Sequence, residues 1–259
     1  MESLISLALI RQRYTPFGGA ERFLDRAMGV LQRESGVGIT LIARQWEGEV
    51  EGLRTITCNP PCWGRLWRDV SFAWCVRRQL RRQRFHLVQS HERLEGCDIY
   101  RAGDGVHRVW LEERGRTLGW LGRLATAWSP YHRHVLAMER RMFQSPGLRA
   151  VICNSQMVRE EIVRCFGVAE EKLHVIYSGV DTGRFHPSLR ERFRGSMRRR
   201  WSIPKGAILL LCVGSGFQRK GVPILLEAMA ELPENVWLLV VGQDRRSGAM
   251  ERRARRLGV

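Results

Sequence analysis

Short apolar segments alternate with longer helical patterns along most of this chain. Such alternation is typical of a parallel sheet covered by helices on both faces, because parallel strands are short and buried on both sides. The predicted strands are Leu4–Ile10, Ile39–Ala43, His86–Gln89, Ala150–Cys153, His174–Tyr177, Ala207–Val213 and Val236–Val241. The predicted helices are Ala20–Gln32, Leu66–Arg82, Pro130–Phe143, Gln156–Phe166, Val222–Leu232 and Arg245–Leu257. We therefore expect an α/β fold.

The character of the sequence changes after Tyr177, where a turn is followed by an arginine-rich, weakly periodic stretch. We predict a complete Rossmann-like domain over residues 1–180, an interdomain linker over 181–206, and the start of a second domain over 207–259. Two strands are predicted in the second part, whereas a doubly wound domain normally has about five. The second domain is therefore expected to be incomplete.

The chain is strongly basic, with a formal net charge of +17 over 259 residues. Of its 43 basic residues, three are lysines, so a compositional bias toward arginine and attraction to a polyanion are both open explanations. The apolar N-terminus carries Glu2 where a signal peptide would be positively charged, and we interpret it as the first strand of a cytoplasmic protein. The seven cysteines show no metal-binding spacing and are consistent with a reducing compartment.

The stretch from Gly214 to Gly221 follows a predicted buried strand and precedes a predicted helix. A glycine-rich turn at that position brings backbone N–H groups and a helix N-terminus close to a phosphate. Arg219 and Lys220 add two positive charges, which favours a diphosphate ligand over a merely polar turn. The spacing fits neither the dinucleotide fingerprint nor the P-loop.

Two further motifs follow predicted strands. Gly18 and Gly19 lie after the first strand and before a helix, at the end of a sheet where ligands bind in α/β folds; a purely steric turn is the alternative. Asp104 is flanked by glycines, and its carboxylate could orient a sugar hydroxyl or act as a base. A simple Asp-Gly turn explains Asp104 equally well. Trp63, Trp67 and Trp74 have helical spacing, which we interpret as packing.

Taken in order, these motifs resemble the retaining GT-B glycosyltransferases of family 4, and especially the lipopolysaccharide core glucosyltransferase I family. The resemblance covers nearly the whole chain and includes Phe17-Gly18-Gly19 with Glu21-Arg22, Gln45 to Gly48, Asp98 to Tyr100 with Gly103-Asp104, Tyr131 to Phe143, Val213 to Val222, and Val241 to Asp244.

The resemblance implies a GT-B-like fold and transfer of a hexose, glucose, from UDP-glucose to a heptose of the lipid-linked core, with retention. It assigns Gly18, Gly19, Gly216, Arg219 and Lys220 to the donor diphosphate and a catalytic role to Asp104. No cofactor or metal is implied, since the two cations would neutralise the leaving diphosphate. The implied partners are a nucleotide sugar, a lipid-linked oligosaccharide acceptor and an anionic membrane surface, without specific nucleic acid. The implied location is the cytoplasmic face of the bacterial inner membrane, as a peripheral protein.

One part of the family pattern is missing. The family carries a later segment with two glutamates eight residues apart that holds the donor sugar, and the sequence ends at Val259 before any such segment. We therefore expect a fragment that binds the donor weakly or not at all.

Two other classes of protein share some features of this sequence. A basic nucleic-acid-binding α/β protein would explain the charge but not the glycine loops. A nicotinamide-dependent oxidoreductase would require an acidic residue about 20 residues after a proper glycine fingerprint.

Overall fold

The computed structural model describes residues 5–14, 27–31, 36–46 and 53–259. The chain divides into two compact units, Met1–Gly179 and Val180–Val259. Among the described residues, no helix is both long enough and apolar enough to cross a bilayer.

The first unit contains a parallel sheet of seven strands within the described residues. In chain order the strands are β1 (Ile5–Tyr14), β2 (Val37–Trp46), β3 (Arg54–Thr57), β4 (Leu87–Ser90), β5 (Ile99–Ala102), β6 (Ala150–Cys153) and β7 (Leu173–Val175). Their spatial order is β3-β2-β1-β4-β5-β6-β7, and every pairing is parallel. The chain therefore passes from β3 back across β2 and β1 to reach β4, which is the central strand and pairs with β1.

The helices of this unit connect the strands, as expected for parallel pairing. Their bounds are α1 (Gly64–Arg82), α2 (His107–Thr117), α3 (Trp120–Ala127), α4 (Pro130–Phe143) and α5 (Gln156–Phe166), with a 3₁₀ turn at Glu170–Lys172 and helical residues at 27–31. The start of α4 has a local cause, since the Ser129 side chain accepts a hydrogen bond from the His132 N–H and proline occupies the first turn. The Ser155 side chain caps α5 in the same way, by accepting a hydrogen bond from the Val158 N–H.

Both faces of the seven-stranded sheet are buried. Side chains alternate between the faces of a strand, and β1 shows this directly. Leu7 and Leu9 belong to one apolar cluster together with Met28, whereas Ala8 and Ile10 belong to the larger cluster on the other side. The sheet is therefore covered by helical residues on both sides, which confirms the predicted α/β class.

The second unit is smaller and contains two parallel strands among its described residues. Its elements are α6 (Leu189–Arg200), β8 (Ile208–Val213), α7 (Val222–Met229), β9 (Val236–Val241) and α8 (Ser247–Leu257). Its buried apolar cluster consists of Phe217, Val222 and Leu226, with a few partly buried side chains around it. This unit therefore has much less core than the first.

Several predictions about local structure were wrong. The helices α2 and α3 were not predicted because they contain no buried residue, so their apolar side chains give no clear core-facing pattern. The expected linker contains the helix α6, which also buries none of its residues. Finally, Cys58 and Cys75 form a disulfide with Cα atoms 5.7 Å apart, whereas the cysteine pattern was interpreted as reduced.

The interpretation of three tryptophans as packing residues was also wrong. Trp63, Trp67 and Trp74 are 91%, 62% and 58% exposed, respectively. They share one face of α1, but this face points to solvent and not into the core. Helical spacing identified the shared face correctly but could not show which side of the helix the sheet covers.

Candidate functional site

A small group of polar side chains lies at the carboxyl ends of β1 and β4. Gln12 donates from its backbone N–H to Glu92 Oε1 at 3.0 Å and from its side chain to Asp69 Oδ1 at 3.0 Å. Arg11 forms an ion pair with Glu92 at 3.5 Å. Burial raises the pKa of Glu92, and the nearby Arg11 opposes this effect. Gln12, Asp69 and Glu92 border a cavity of about 60 Å³, and neither carboxylate was predicted as part of a site.

The turn that carries Asp104 follows β5 and is held from two directions. The Asn154 side chain donates to the Gly103 carbonyl at 2.9 Å, and the Arg93 guanidinium donates to the Gly105 carbonyl at 3.1 Å. Gly105 has φ of +69°, a conformation that favours glycine. Asp104 itself is exposed. The turn therefore presents a solvent-accessible carboxylate from a fixed backbone, at the same edge of the sheet as Glu92.

An ion pair between Arg93 and the buried Glu139 supports this turn. Glu139 is 1% exposed, and its Oε1 accepts hydrogen bonds from Arg93 Nε at 2.8 Å and from the His107 N–H at 2.7 Å. Arg93 also donates to the Gly105 carbonyl. Glu139 therefore holds the Asp104 turn through Arg93 and the start of α2 through the His107 N–H. The sequence identified Glu139 only as part of a motif, since its partner Arg93 lies 46 positions away.

Two histidines meet beside this pair. His107 Nε2 lies 3.1 Å from His132 Nδ1, and the His107 ring stacks on Trp110 with centroids 5.4 Å apart. Burial, with the nearby Arg93 charge, lowers the pKa of His107 to about 4. His132 and His134 lie two positions apart on α4 and have different surroundings, since His134 lines a separate pocket. Among the described residues, no three His, Cys, Asp or Glu side chains form a metal-binding group.

The glycine-rich turn of the second unit joins β8 to α7. The Lys220 side chain packs over Gly214, and a Cβ atom at Gly214 would lie 3.3 Å from Lys220 Cε. Gly214 also has φ of +141°, which favours glycine at this position. The Lys220 N–H donates to the Gly216 carbonyl at 3.0 Å, which closes the turn. Arg219 and Lys220 are exposed, and the described part of the chain offers neither side chain an ion-pair or hydrogen-bond partner. Two unpaired cations therefore lie just before the N-terminus of α7.

Asp244, after β9, organises the same turn. Its carboxylate accepts from the Arg246 N–H at 2.7 Å and the Phe217 N–H at 2.8 Å, and these donors lower its pKa. The adjacent Gly242 is required sterically, because a Cβ there would lie 2.1 Å from the Gly214 carbonyl oxygen. The carboxyl ends of β8 and β9 are thus packed backbone against backbone.

The predicted site residues are distributed over both units. Gly216, Arg219 and Lys220 share one turn in the second unit, whereas Asp104 lies in the first. Gly18 and Gly19 lie outside the described residues. Their assignment to the donor diphosphate stays a prediction.

Three comparisons place this chain among known proteins. The family model described as Glycosyltransferase Family 4 matches residues 17–184. The lipopolysaccharide glucosyltransferase WaaG of Escherichia coli K12 is 27% identical over 259 residues, covering 98% of this chain and 67% of the relative. A crystal structure of WaaG, a glycosyltransferase involved in lipopolysaccharide biosynthesis, superposes with a TM-score of 0.80 over 98% of this chain. That likeness confirms the predicted GT-B-like fold class.

A more distant structure shows the fold alone. The Anabaena protein Alr3699/HepE, solved in complex with UDP and glucose, is 16% identical with a TM-score of 0.61. The match covers 98% of this chain and 66% of the Anabaena protein. It thus spans about two thirds of the length of each of these proteins.

Proposed function

Because the chain belongs to glycosyltransferase family 4, we propose that it serves in the transfer of glucose from UDP-glucose to a heptose of the lipopolysaccharide core, with retention of configuration. The name of the E. coli relative, which matches over 98% of the chain, supports this choice of donor sugar and pathway. The C1–oxygen bond of the donor breaks, a new bond forms to an acceptor hydroxyl oxygen, the hydroxyl proton is released, and UDP departs with the bonding electron pair.

The observation that carries the proposal is the exposed Arg219–Lys220 pair at the start of α7. Negative charge develops on the diphosphate as the sugar leaves, and fixed cations with backbone N–H groups stabilise such charge most when they are already in place. The packed backbones of Gly214 and Gly242 hold this turn before the donor arrives. With two cations available, transfer needs no metal ion. The proposal also assigns Gly18 and Gly19 to the donor.

We place Asp104 on the acceptor side as the catalytic residue. Its exposed carboxylate can accept a hydrogen bond from an acceptor hydroxyl, and the contacts from Asn154 and Arg93 fix the turn that carries it. This role requires a carboxylate that keeps its position while the acceptor binds, which a turn held on both sides provides.

The donor site is tested by replacing Lys220. Glucosyl transfer from UDP-glucose to a deacylated, heptose-terminated core oligosaccharide is followed by mass spectrometry, and UDP binding by NMR. We expect Lys220→Ala to lower turnover by about two orders of magnitude, equivalent to about 2.7 kcal/mol of transition-state stabilisation. Lys205→Ala is the matched control, since Lys205 is an exposed lysine outside the turn. Equal rates for Lys220→Ala and the parent chain would remove Lys220 from the mechanism. Because the sequence predicts weak donor binding by residues 1–259, the titration extends to high UDP concentrations, and a parent chain that transfers no glucose even there would contradict transfer by this chain.

We also propose that the chain acts at an anionic membrane surface, as a peripheral protein on the cytoplasmic face of the inner membrane. The helix α3 supports this proposal, because it exposes Trp120, Leu121, Leu124 and, just after it, Trp128 by 52% or more each. Exposed tryptophan and leucine side chains suit the boundary between headgroups and acyl chains, and a net charge of +17 favours anionic lipids.

A further inference from the structure

A pocket of about 430 Å³ lies between α1 and α4 of the first unit. This volume is within the range of about 300–1,000 Å³ that is usual for small-molecule sites. The residues that line it are Leu66, Trp67, Val70, Pro130, Arg133 and His134. The pocket therefore combines an apolar wall with two side chains that can donate hydrogen bonds.

Trp67 supplies a flat apolar surface to this pocket. Its side chain is 62% exposed, although an indole of this size would gain free energy from burial. Other aromatic rings nearby are already in use: Arg65 covers Tyr131 at 4.7 Å, and Arg78 covers Trp74 at 5.5 Å. Within the described residues, no ring or cation covers Trp67. An uncovered indole face in a pocket suits the C–H face of a sugar ring.

Arg133 supplies a positive charge at the same place. It is exposed, and none of the described residues forms an ion pair or hydrogen bond with its guanidinium. The lining includes no aspartate or glutamate, so a negative group on a ligand would be the first partner of this cation. Arginine binds carboxylate and phosphate groups in a two-pronged geometry.

The pocket adjoins the small polar cavity at the carboxyl ends of the strands. His134 lines both this pocket and the small cavity that contains Gln12, Asp69 and Glu92 at the carboxyl ends of the strands. On its other side, Pro130 begins α4 soon after α3 ends at Ala127. A glycan held here would therefore lie between the polar end of the sheet and the helix that we assign to the membrane surface.

We propose that this pocket is a subsite for the acceptor glycan, in which an acidic sugar unit stacks on Trp67 and places its anionic group at Arg133. The inference rests on the proposed function and adds to it the residues that select the acceptor. The subsite binds a unit next to the reacting sugar, so its loss weakens acceptor binding and leaves donor binding intact.

Titration of the full chain with a deacylated, heptose-terminated core oligosaccharide tests the subsite. We expect Trp67→Ala and Arg133→Ala each to raise the oligosaccharide Kd by about tenfold or more, with an unchanged UDP signal, and Trp67→Phe to restore most of the affinity. Trp74→Ala is the matched control on the same helix. Treatment of the oligosaccharide with phosphatase weakens binding if phosphate is the anion, and reduction of its carboxyl groups weakens binding if a carboxylate is.

Several outcomes would overturn the subsite. Unchanged affinity in Trp67→Ala and Arg133→Ala would remove it while leaving the proposed function intact. Affinity that survives both treatments of the oligosaccharide would exclude an acidic sugar. If Trp67→Ala instead reduces binding to phosphatidylglycerol vesicles and not to the oligosaccharide, the pocket faces lipid. A parent chain that binds UDP but no core oligosaccharide would contradict both the subsite and the proposed acceptor.

Discussion

Single side chains determine how the polar end of the seven-stranded sheet is held, and Glu139 is the clearest case. Its carboxylate joins Arg93 to the first N–H of α2 while being 1% exposed. Removal of one partner from such a pair leaves a buried charge uncompensated, which typically costs about 3–5 kcal/mol.

We expect Glu139→Ala to lower the free energy of unfolding by about 3 kcal/mol or more in urea titrations, and Glu139→Gln to lose less because an acceptor oxygen remains. Arg140→Gln, at the exposed neighbouring position, should change it by about 0.5 kcal/mol at most. Equal stability of Glu139→Ala and the parent would show that the ion pair contributes nothing.

The buried His91 and the half-buried His107 make stability depend on pH. Burial, together with the charges of Arg101 and Arg11, lowers the pKa of His91 to about 3, and burial lowers that of His107 to about 4. Both therefore stay neutral in the folded chain at pH values where the unfolded chain, with a histidine pKa near 6.5, binds protons. Stability is complete above about pH 6.5 and falls as the pH drops from there toward 4.

His91 should contribute a slope of at most about 1.4 kcal/mol per pH unit between pH 6 and 4.5, and the half-buried His107 should contribute a smaller one. Urea titrations at several pH values measure this slope, and His91→Gln should reduce it. A slope that His91→Gln leaves unchanged would contradict the assignment to His91. His174→Gln, an exposed position on β7, is a suitable control.

At the level of elements, the second unit depends on the contact between two strand ends. We expect Gly242→Ala to displace the Gly214 turn, because the new methyl group would meet backbone atoms that cannot rotate away. The cost should be about 1–3 kcal/mol, together with weaker UDP binding. Gly248→Ala in α8 is the control, since the nearest atom to its new methyl group is a flexible arginine at 3.7 Å. Thermal unfolding and UDP titration measure the two effects. Equal stability and equal UDP affinity of Gly242→Ala and Gly248→Ala would contradict the expectation.

The elements also show what the sequence could predict. Helices with one buried face, such as Pro130–Phe143 and Gln156–Phe166, were predicted at their observed bounds because burial imposes the periodicity of their apolar residues. The helices α2, α3 and α6 bury nothing, so that signal is missing. The helix α8 also has no fully buried residue but was predicted, and its Met250 and Ala254 pack partly buried against the core of the second unit. The glycine turn was predictable because its residues are adjacent in the sequence. The Glu139–Arg93 pair and the Asp244–Phe217 contact were not predictable, because they join residues 46 and 27 positions apart.

For the molecule as a whole, charge and exposed aromatic side chains act together. The net charge of +17 predicts binding to phosphatidylglycerol vesicles and not to neutral ones. High salt should weaken this binding, since the screening length falls from about 10 Å at 0.1 M to about 3 Å at 1 M. Trp120→Ala combined with Trp128→Ala should reduce it at every salt concentration, and Trp201→Ala serves as the control. Vesicle sedimentation that is equal for neutral and anionic lipids would contradict this prediction.

The two-stranded sheet of the second unit has a further consequence for the behaviour of the protein in solution. Its strands display Ile208, Leu211 and Val213 at 54–62% exposure, and within the described residues the outer edges of β8 and β9 meet no other strand. Unpaired strand edges that carry apolar side chains recruit further strands from other chains. Self-association should therefore grow with protein concentration and should shorten the storage life of concentrated stocks.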